Sequence, residues 1–228
     1  MTTAKKPSVI AIDGPAAAGK TTLALALAQR LGYLYFDTGV MYRAVTLAAL
    51  ERQIDLQDHE AVASLAESVV IDVLPADGND HPYRVLLDGE DVTARLRTTA
   101  IDRSVSIPSA YAGVRQAMTR HQRRIAERGS VVMVGRDIGT VVIPEAGLKL
   151  FLVASVEERA RRRWEEACRE GRADSYEDIL ADMRQRDERD ASRDVAPLRP
   201  ADDAIVVDTT KLDSDAVLDL ALALALGP

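Results

Sequence analysis

One stretch constrains this chain more than any other: Ala11-Ile12-Asp13-Gly14-Pro15-Ala16-Ala17-Ala18-Gly19-Lys20-Thr21-Thr22. Gly14 to Thr21 has the spacing Gly-x-x-x-x-Gly-Lys-Ser/Thr, in which successive backbone N–H groups curl round a phosphate and the lysine ammonium reaches its outer oxygens. The flanks agree with that reading. Ser8 to Ile12 is a short β-branched and apolar run, suited to a buried parallel strand. Lys20 to Leu31 is rich in Ala and Leu and stops at Gly32, as a helix stops at glycine. Strand, glycine loop and helix follow in order, so the helix N-terminus adds its dipole to the anion site. A mere strand-to-helix turn carrying an incidental lysine accounts for less of the match. The expectation is a site for the phosphates of a nucleoside triphosphate.

Further strands and helices alternate along the chain. Tyr33 to Phe36 reads as a second strand, ended by Asp37-Thr38-Gly39, which can cap a helix from Val40 to Glu51. Asp58 to Glu67 has helical apolar spacing. The texture then changes: Val69 to Val73, Arg84 to Leu87 and Asp91 to Thr93 are short β-like runs, separated by the turn-rich stretch 75–80 and by Asp88-Gly89. Asp-Gly between apolar residues signals a hairpin. Antiparallel pieces do not belong inside a β-α alternation, so 69–104 is expected to be an insert with a lobe of its own. Ser109 is placed to cap a long helix that runs to Gly129. Val131 to Val134 and Leu148 to Val153 read as buried strands. Ser155 with Glu158, and Ser175 with Asp178, mark two more helix starts. Ala204 to Val207 supplies the last strand, and Val217 to Leu226 a terminal helix, too short and too interrupted by Asp219 to span a bilayer. Five strands alternating with helices imply an α/β fold, a parallel sheet covered on both faces. The core is expected to be 1–68 with 105–228.

A formal net charge of −7, from 29 basic against 36 acidic residues, argues against general affinity for nucleic acid or anionic membrane. The arginines must then serve local purposes. Cys168 is the only cysteine, which excludes an internal disulfide and a cysteine-based zinc site. The start of the chain shows no apolar signal core, so a cytoplasmic location is expected.

Phosphoryl transfer asks a protein for positioning and for positive charge on the transferring group. Lys20 would grip the donor phosphates and Thr21 would offer its hydroxyl to Mg²⁺. Arginines occur where such chemistry needs them: Tyr42-Arg43 one turn beyond Asp37-Thr38-Gly39, Gly135-Arg136-Asp137 directly after a buried strand, and the run from Arg184 to Arg193. Arg186, Arg189 or Asp190, and Arg193 share a helical face, although a solvated charge ladder has the same pattern. Arg159, Arg161, Arg162 and Arg163 suit either a mobile lid over the donor or an exposed basic helix.

Gly14-Pro15 with Gly19-Lys20, Asp37-Thr38-Gly39-Val40-Met41-Tyr42-Arg43, Gly135-Arg136-Asp137-Ile138-Gly139-Thr140-Val141-Val142, and Arg186-Asp187-Glu188-Arg189-Asp190 through Arg193 to Ala196-Pro197-Leu198 together resemble the bacterial cytidylate kinases. The likeness runs from the first strand to the last, and the Gly-Arg-Asp-Ile-Gly-Thr-Val-Val segment is its most specific part. It implies a P-loop NTPase-type fold of five parallel strands, with the β-containing insert as a monophosphate-binding lobe and a short lid at about 156–172. It also implies transfer of the γ-phosphoryl group of ATP to CMP or dCMP, with Mg²⁺; the charge balance speaks against a nucleic acid or membrane partner, nothing in the sequence calls for a partner protein, and a monomer is expected. By resemblance, Gly14, Pro15, Ala16, Ala17, Ala18, Gly19, Lys20, Thr21 and Thr22 bind ATP, joined by Arg159, Arg162 and Arg163 of the lid. Thr38, Arg43, Arg136 and Arg193 hold the acceptor phosphate. Ser106, Arg115 and Asp137 contact the cytosine, while Arg186 and Asp190 meet the ribose. Lys20, Arg136, Arg186 and Arg193 are the catalytic candidates.

The chain departs from the family pattern twice. Ala17 stands where such loops usually carry glycine, and alanine resists a positive φ. Val134 stands where an acid usually precedes Gly-Arg-Asp, which leaves Asp13, Asp37 or Asp137 to support the metal. Two other readings stay open on the residues alone. One is a P-loop kinase with AMP, UMP, thymidylate or a metabolite as acceptor. The other is a nucleotide-dependent switch, although the chain has no Asn-Lys-x-Asp motif to read guanine.

Overall fold

The computed structural model describes residues 6–76, 78, 81–193 and 195–227; Asp77, Asn79 and Asp80 of the turn-rich stretch lie outside the described residues. In chain order the elements are β1 (Val9–Asp13), α1 (Lys20–Leu31), β2 (Leu34–Asp37), α2 (Gly39–Glu51), α3 (His59–Ser68), β3 (Ile71–Pro75), β4 (Tyr83–Leu87), β5 (Glu90–Asp91), α4 (Thr99–Ser104), α5 (Ala112–Ala126), β6 (Val131–Val134), β7 (Leu148–Val153), α6 (Val156–Arg169), α7 (Tyr176–Ala191), β8 (Ile205–Asp208) and α8 (Ser214–Leu226). Short 3₁₀ turns occupy Thr93–Leu96 and Pro108–Ala110, and a π turn occupies Ile138–Val142.

A five-stranded parallel sheet has the order β2-β6-β1-β7-β8. By contacts the chain divides into two compact units, Met1–Leu31 with Val132–Pro228, and Gly32–Val131. In the first unit, every residue of β1 is buried, which explains its unbroken apolar run. Ile10 and Ile12 are wholly inaccessible, and burial on that scale stabilises the fold by about 1.5–3 kcal/mol per side chain. Residues Ile10 to Asp13 pair in parallel with Leu148 to Phe151 of β7, and Leu150 to Val153 pair with Ile205 to Asp208. Parallel strands send their following loops to one edge, so the loops after β1, β6, β7 and β8 share that edge. Helix α1 buries Leu23, Ala24, Leu27 and Ala28 and packs on α8, whose Val217, Leu218, Ala221 and Ala225 are buried.

In the second unit, β3, β4 and β5 form a separate antiparallel sheet. Ile71, Val73, Val85 and Leu87 turn to its buried face. The hairpin expected at Asp88-Gly89 is present: Leu87 pairs with Glu90, and the two loop residues have φ of 52° and 88°. Positive φ at both positions is the turn whose twist matches the flanking strands. Helix α3 packs on α5.

Most expected helix starts hold, because a cap is a contact across three residues. Asp58, Ser155 and Ser175 accept from the backbone N–H groups of Ala61, Glu158 and Asp178. Ser109 does not cap α5. It lies in the Pro108–Ala110 turn, and α5 starts after Tyr111 without a side-chain cap. The proline at 108 favours that extra turn ahead of the helix. At α2 the cap position is Thr38, but the side-chain bond is made by Asp37, whose Oδ1 accepts from Gly39 N at 2.9 Å.

Candidate active site

The loop between β1 and α1 has positive φ at Gly14 (141°), Ala17 (58°) and Gly19 (90°). Left-handed residues alternating with right-handed ones bring successive N–H groups into one concavity, the geometry that receives a phosphate. Gly14 has no substitute there: a Cβ would stand 2.1 Å from Leu152 O. Ala17 does adopt the left-handed conformation that its position demands, at a cost of about 1–2 kcal/mol. The loop carbonyls are tied back one by one. Lys20 Nζ donates to Pro15 O at 2.6 Å, Arg159 Nη1 to Ala16 O at 3.3 Å, and Thr209 Oγ1 lies 3.1 Å from Ala18 O. Lys20 is buried, while Thr21 and Thr22 in the first turn of α1 are exposed.

Asp13, the last residue of β1, is buried and does not face solvent as a metal ligand would. Its Oδ1 accepts from Ile138 N at 2.9 Å and its Oδ2 from Gly139 N at 2.8 Å. Burial pushes its carboxyl up to about 6; those two backbone donors and Lys20 pull the other way, and Asp137 adds to the rise.

Beyond β6, Arg136 donates from Nε to Asp190 Oδ2 at 3.1 Å, and Arg193 Nη2 donates to Asp190 Oδ1. Asp190 is one of two buried residues on α7. Solvent reaches Arg186, but its surroundings are crowded with cations. Desolvation first, then Arg136, with Arg163 and Arg193, hold its guanidinium below the ordinary value, and Asp190 offsets part of this. Two guanidinium groups thus bond one buried carboxylate while a third, that of Arg186, lies within reach of its charge, an arrangement that favours an incoming anion. The charge ladder expected at 184–193 is therefore a solvated face only in part.

The arginines of α6 fall into different settings. Arg159 is buried; it meets Asp187 through two bonds, Nη1 to Oδ1 at 3.1 Å and Nη2 to Oδ2 at 2.5 Å, and donates from Nε to Ala154 O at 3.0 Å. Arg162 donates to Thr209 O at 2.6 Å and to Glu158 at 2.8 Å, and its Nη1 lies 3.9 Å from where a Cβ on Gly19 would stand. Arg161 and Arg163 are exposed and pair with acids of the same helix. Glu158 is held down at about 2, first by the hydrogen bond from Arg161.

In the second unit, Arg43 donates from Nη1 to Asp102 Oδ1 at 2.5 Å and to Leu96 O at 3.0 Å. The Arg115 guanidinium lies 5.8 Å from the Tyr42 ring centroid and donates to Ser109 O at 3.4 Å. Thr38 is buried and Ser106 exposed. Asp37, one of the acids considered for the metal, spends Oδ1 on Gly39 N. Among the described residues no three His, Cys, Asp or Glu side chains gather as a metal site, and no helix is long and apolar enough to cross a membrane.

The profile of the family described as cytidylate kinase matches residues 10–226. The chain belongs to the cytidylate kinase family. The cytidylate kinase of Bacillus licheniformis is 47% identical over 215 residues, which is 94% of each chain. That of Bacillus subtilis is 46% identical over 216 residues, 94% of this chain and 95% of that one. A crystal structure of an uncharacterised protein from Eubacterium ventriosum shares the fold, with a TM-score of 0.54 at 14% identity, covering 95% of this chain and 97% of that one. The chain is accordingly an ATP-dependent phosphotransferase, and a nucleotide-dependent switch is not favoured.

Within this cytidylate kinase family member, three residues carried no assigned role in the sequence: Asp187, which takes Arg159; Thr209, which joins Ala18 to Arg162; and, in the second unit, Asp102, which takes Arg43. For Asp13 a signal existed. An acid closing an otherwise apolar buried strand must find partners, and only the fold reveals that they are 125 and 126 residues away.

Proposed function

We propose that this chain transfers the γ-phosphoryl group of ATP to CMP or dCMP, giving ADP with CDP or dCDP. The observation that carries the acceptor half is the group of Arg136, Arg186 and Arg193 around the one buried carboxylate of Asp190. A nucleoside monophosphate brings about −1.5 to −2 charges at pH 7, which such a group binds well. Its phosphate oxygen is already anionic, so no general base is required; the work is alignment and charge neutralisation. The loop 14–22 and Lys20 hold the donor phosphates. Arg136 and Arg193, with Thr38 and Arg43, hold the acceptor phosphate, and Arg186 stabilises charge on the group in transfer. Ser106, Arg115 and Asp137 read the cytosine, and Asp190 meets the ribose while keeping two arginines in place. The small antiparallel sheet within 69–104 supports the reading of that segment as the monophosphate-binding lobe. Arg162 and Arg163 reach the donor, while buried Arg159 supports the loop from behind.

Magnesium fits the residues present: Thr21 is exposed in the first turn of α1, and nucleotide oxygens complete the sphere. Bound there, Mg²⁺ neutralises charge on the β- and γ-phosphate oxygens. We place the enzyme in the cytoplasm as a monomer. The test is transfer of label from γ-labelled ATP. With Mg²⁺ and CMP the label is expected in CDP; label released as free phosphate with CMP unconsumed would overturn the proposal.

A further inference from the structure

The two residues Arg136 and Asp137 form a short loop clamped on both sides by consecutive residues of β1. Before the loop, Gly135 N donates to Ile12 O at 3.1 Å. After it, Ile138 N and Gly139 N donate to the two carboxylate oxygens of Asp13 at 2.9 and 2.8 Å. The residue that follows Asp13 is Gly14, the first of the phosphate loop, whose backbone passes so close to Leu152 that a Cβ there would stand 2.1 Å from Leu152 O.

The chemistry of the clamp is that of a helix cap supplied from elsewhere in the chain. The π turn Ile138–Val142 closes on Asp137 O, which accepts from Val141 N and Val142 N at 2.9 and 3.1 Å, and its first N–H groups, like those of any helical turn, have no acceptor within the turn. A carboxylate gives each of the two neighbouring donors an oxygen of its own, and as an anion it binds them more strongly than an amide, which has only one oxygen to offer. Single π turns of this kind recur at functional sites. The acid is expensive to bury, and nothing in its immediate role as a strand residue requires it.

We infer that Asp13 is a positioning residue for phosphoryl transfer: by holding Ile138 and Gly139 it fixes Arg136 and Asp137 relative to Gly14, so that the acceptor-binding arginine and the donor loop share one rigid reference. The inference rests on the reading of Arg136 as an acceptor-phosphate residue. It extends the site by a residue that touches neither nucleotide.

The test is a double-mutant cycle in the full-length enzyme: wild type, Asp13→Asn, Arg136→Ala and both together, with kcat and KM for CMP measured at a temperature where circular dichroism shows each folded. Asparagine keeps the shape but turns an NH₂ towards one of the two N–H donors. The expected result is a fall in kcat/KM for CMP of about 10–100-fold in Asp13→Asn, and a fall of less than about threefold when the same change is made in Arg136→Ala, because the group that Asp13 positions is already gone. Full activity in folded Asp13→Asn, or effects that simply multiply, would overturn the inference. Full activity in Arg136→Ala would instead sink the reading of Arg136 on which it rests. Should Asp13→Asn not fold, Asp13→Glu decides, since the longer side chain cannot hold both N–H groups at the 2.9 and 2.8 Å that Asp13 gives them without moving the turn. The same loss and the same non-additivity with Arg136→Ala are expected, and unchanged kinetics would count against the inference.

Discussion

Replacing Asp190 with asparagine removes the one buried carboxylate among Arg136, Arg186 and Arg193. The amide oxygen can accept from one guanidinium, but its NH₂ then faces the other as donor against donor. The side chain of Asp190 is 4% exposed, those of Arg136 and Arg193 are 20% and 35% exposed. Each charge pair is worth about 4 kcal/mol of Coulomb energy near a protein surface, and breaking a buried pair from one side costs about 3–5 kcal/mol net. Partial exposure of both arginines screens the loss, so the lower end, about 3 kcal/mol, is expected. For a chain of this size that lowers Tm by about 6–12 °C. Millimolar inorganic phosphate is expected to raise the Tm of the variant more than that of wild type, because the arginines have lost their internal anion. In initial-rate assays kcat/KM for CMP falls at least about tenfold while KM for ATP stays within about twofold. Equal loss of ATP and CMP use, or a Tm and a KM for CMP that do not change, would refute the reasoning.

Ala17→Gly relieves a left-handed alanine worth about 1–2 kcal/mol and returns about 0.5–1 kcal/mol through the freer unfolded chain; a net rise in Tm of about 1–4 °C is expected, and a fall in Tm contradicts the strain. Lys20→Ala is expected to lower transfer at least about 100-fold with the circular dichroism spectrum unchanged, and retention of about a tenth of the rate would exclude a role on the phosphates. Asp13 titrates near 6 when folded against 3.8 in the ordinary carboxyl, so the folded protein holds this proton more tightly than the unfolded chain. Its contribution favours folding below about pH 4 and is lost as pH rises through about 6, by about 3 kcal/mol. Measured as Tm against Asp13→Asn, wild type gains on the variant as pH falls from about 7 to about 4; a difference independent of pH contradicts the burial argument.

The legible parts of this chain are those whose cause is local. The strand, loop and helix around Gly14 to Thr21, the caps at Asp58, Ser155 and Ser175, and the Asp88-Gly89 hairpin each depend on residues within a few positions. Even the strain at Ala17 was visible as an alanine where the loop wants glycine. Ser109 shows the limit of local reading: a good capping residue lost its place because Pro108 and its neighbours wind a separate 3₁₀ turn. Contacts set by topology were not legible at all. The bond between Arg159 and Asp187 spans 28 positions and that between Arg136 and Asp190 spans 54. No spacing rule connects them; the parallel sheet brings the loops after β1 and β6 to one edge, and α7 supplies the acids.

The central claim is that the acceptor is a cytidine monophosphate, and the most direct measurement is kcat/KM with saturating ATP and Mg²⁺ across CMP, dCMP, UMP, AMP, dTMP, shikimate and gluconate. CMP and dCMP are expected to exceed every other acceptor by at least about tenfold, the discrimination that hydrogen-bonded reading of the cytosine edge provides. A flat profile, or a preference for any other acceptor in the panel, would contradict the account.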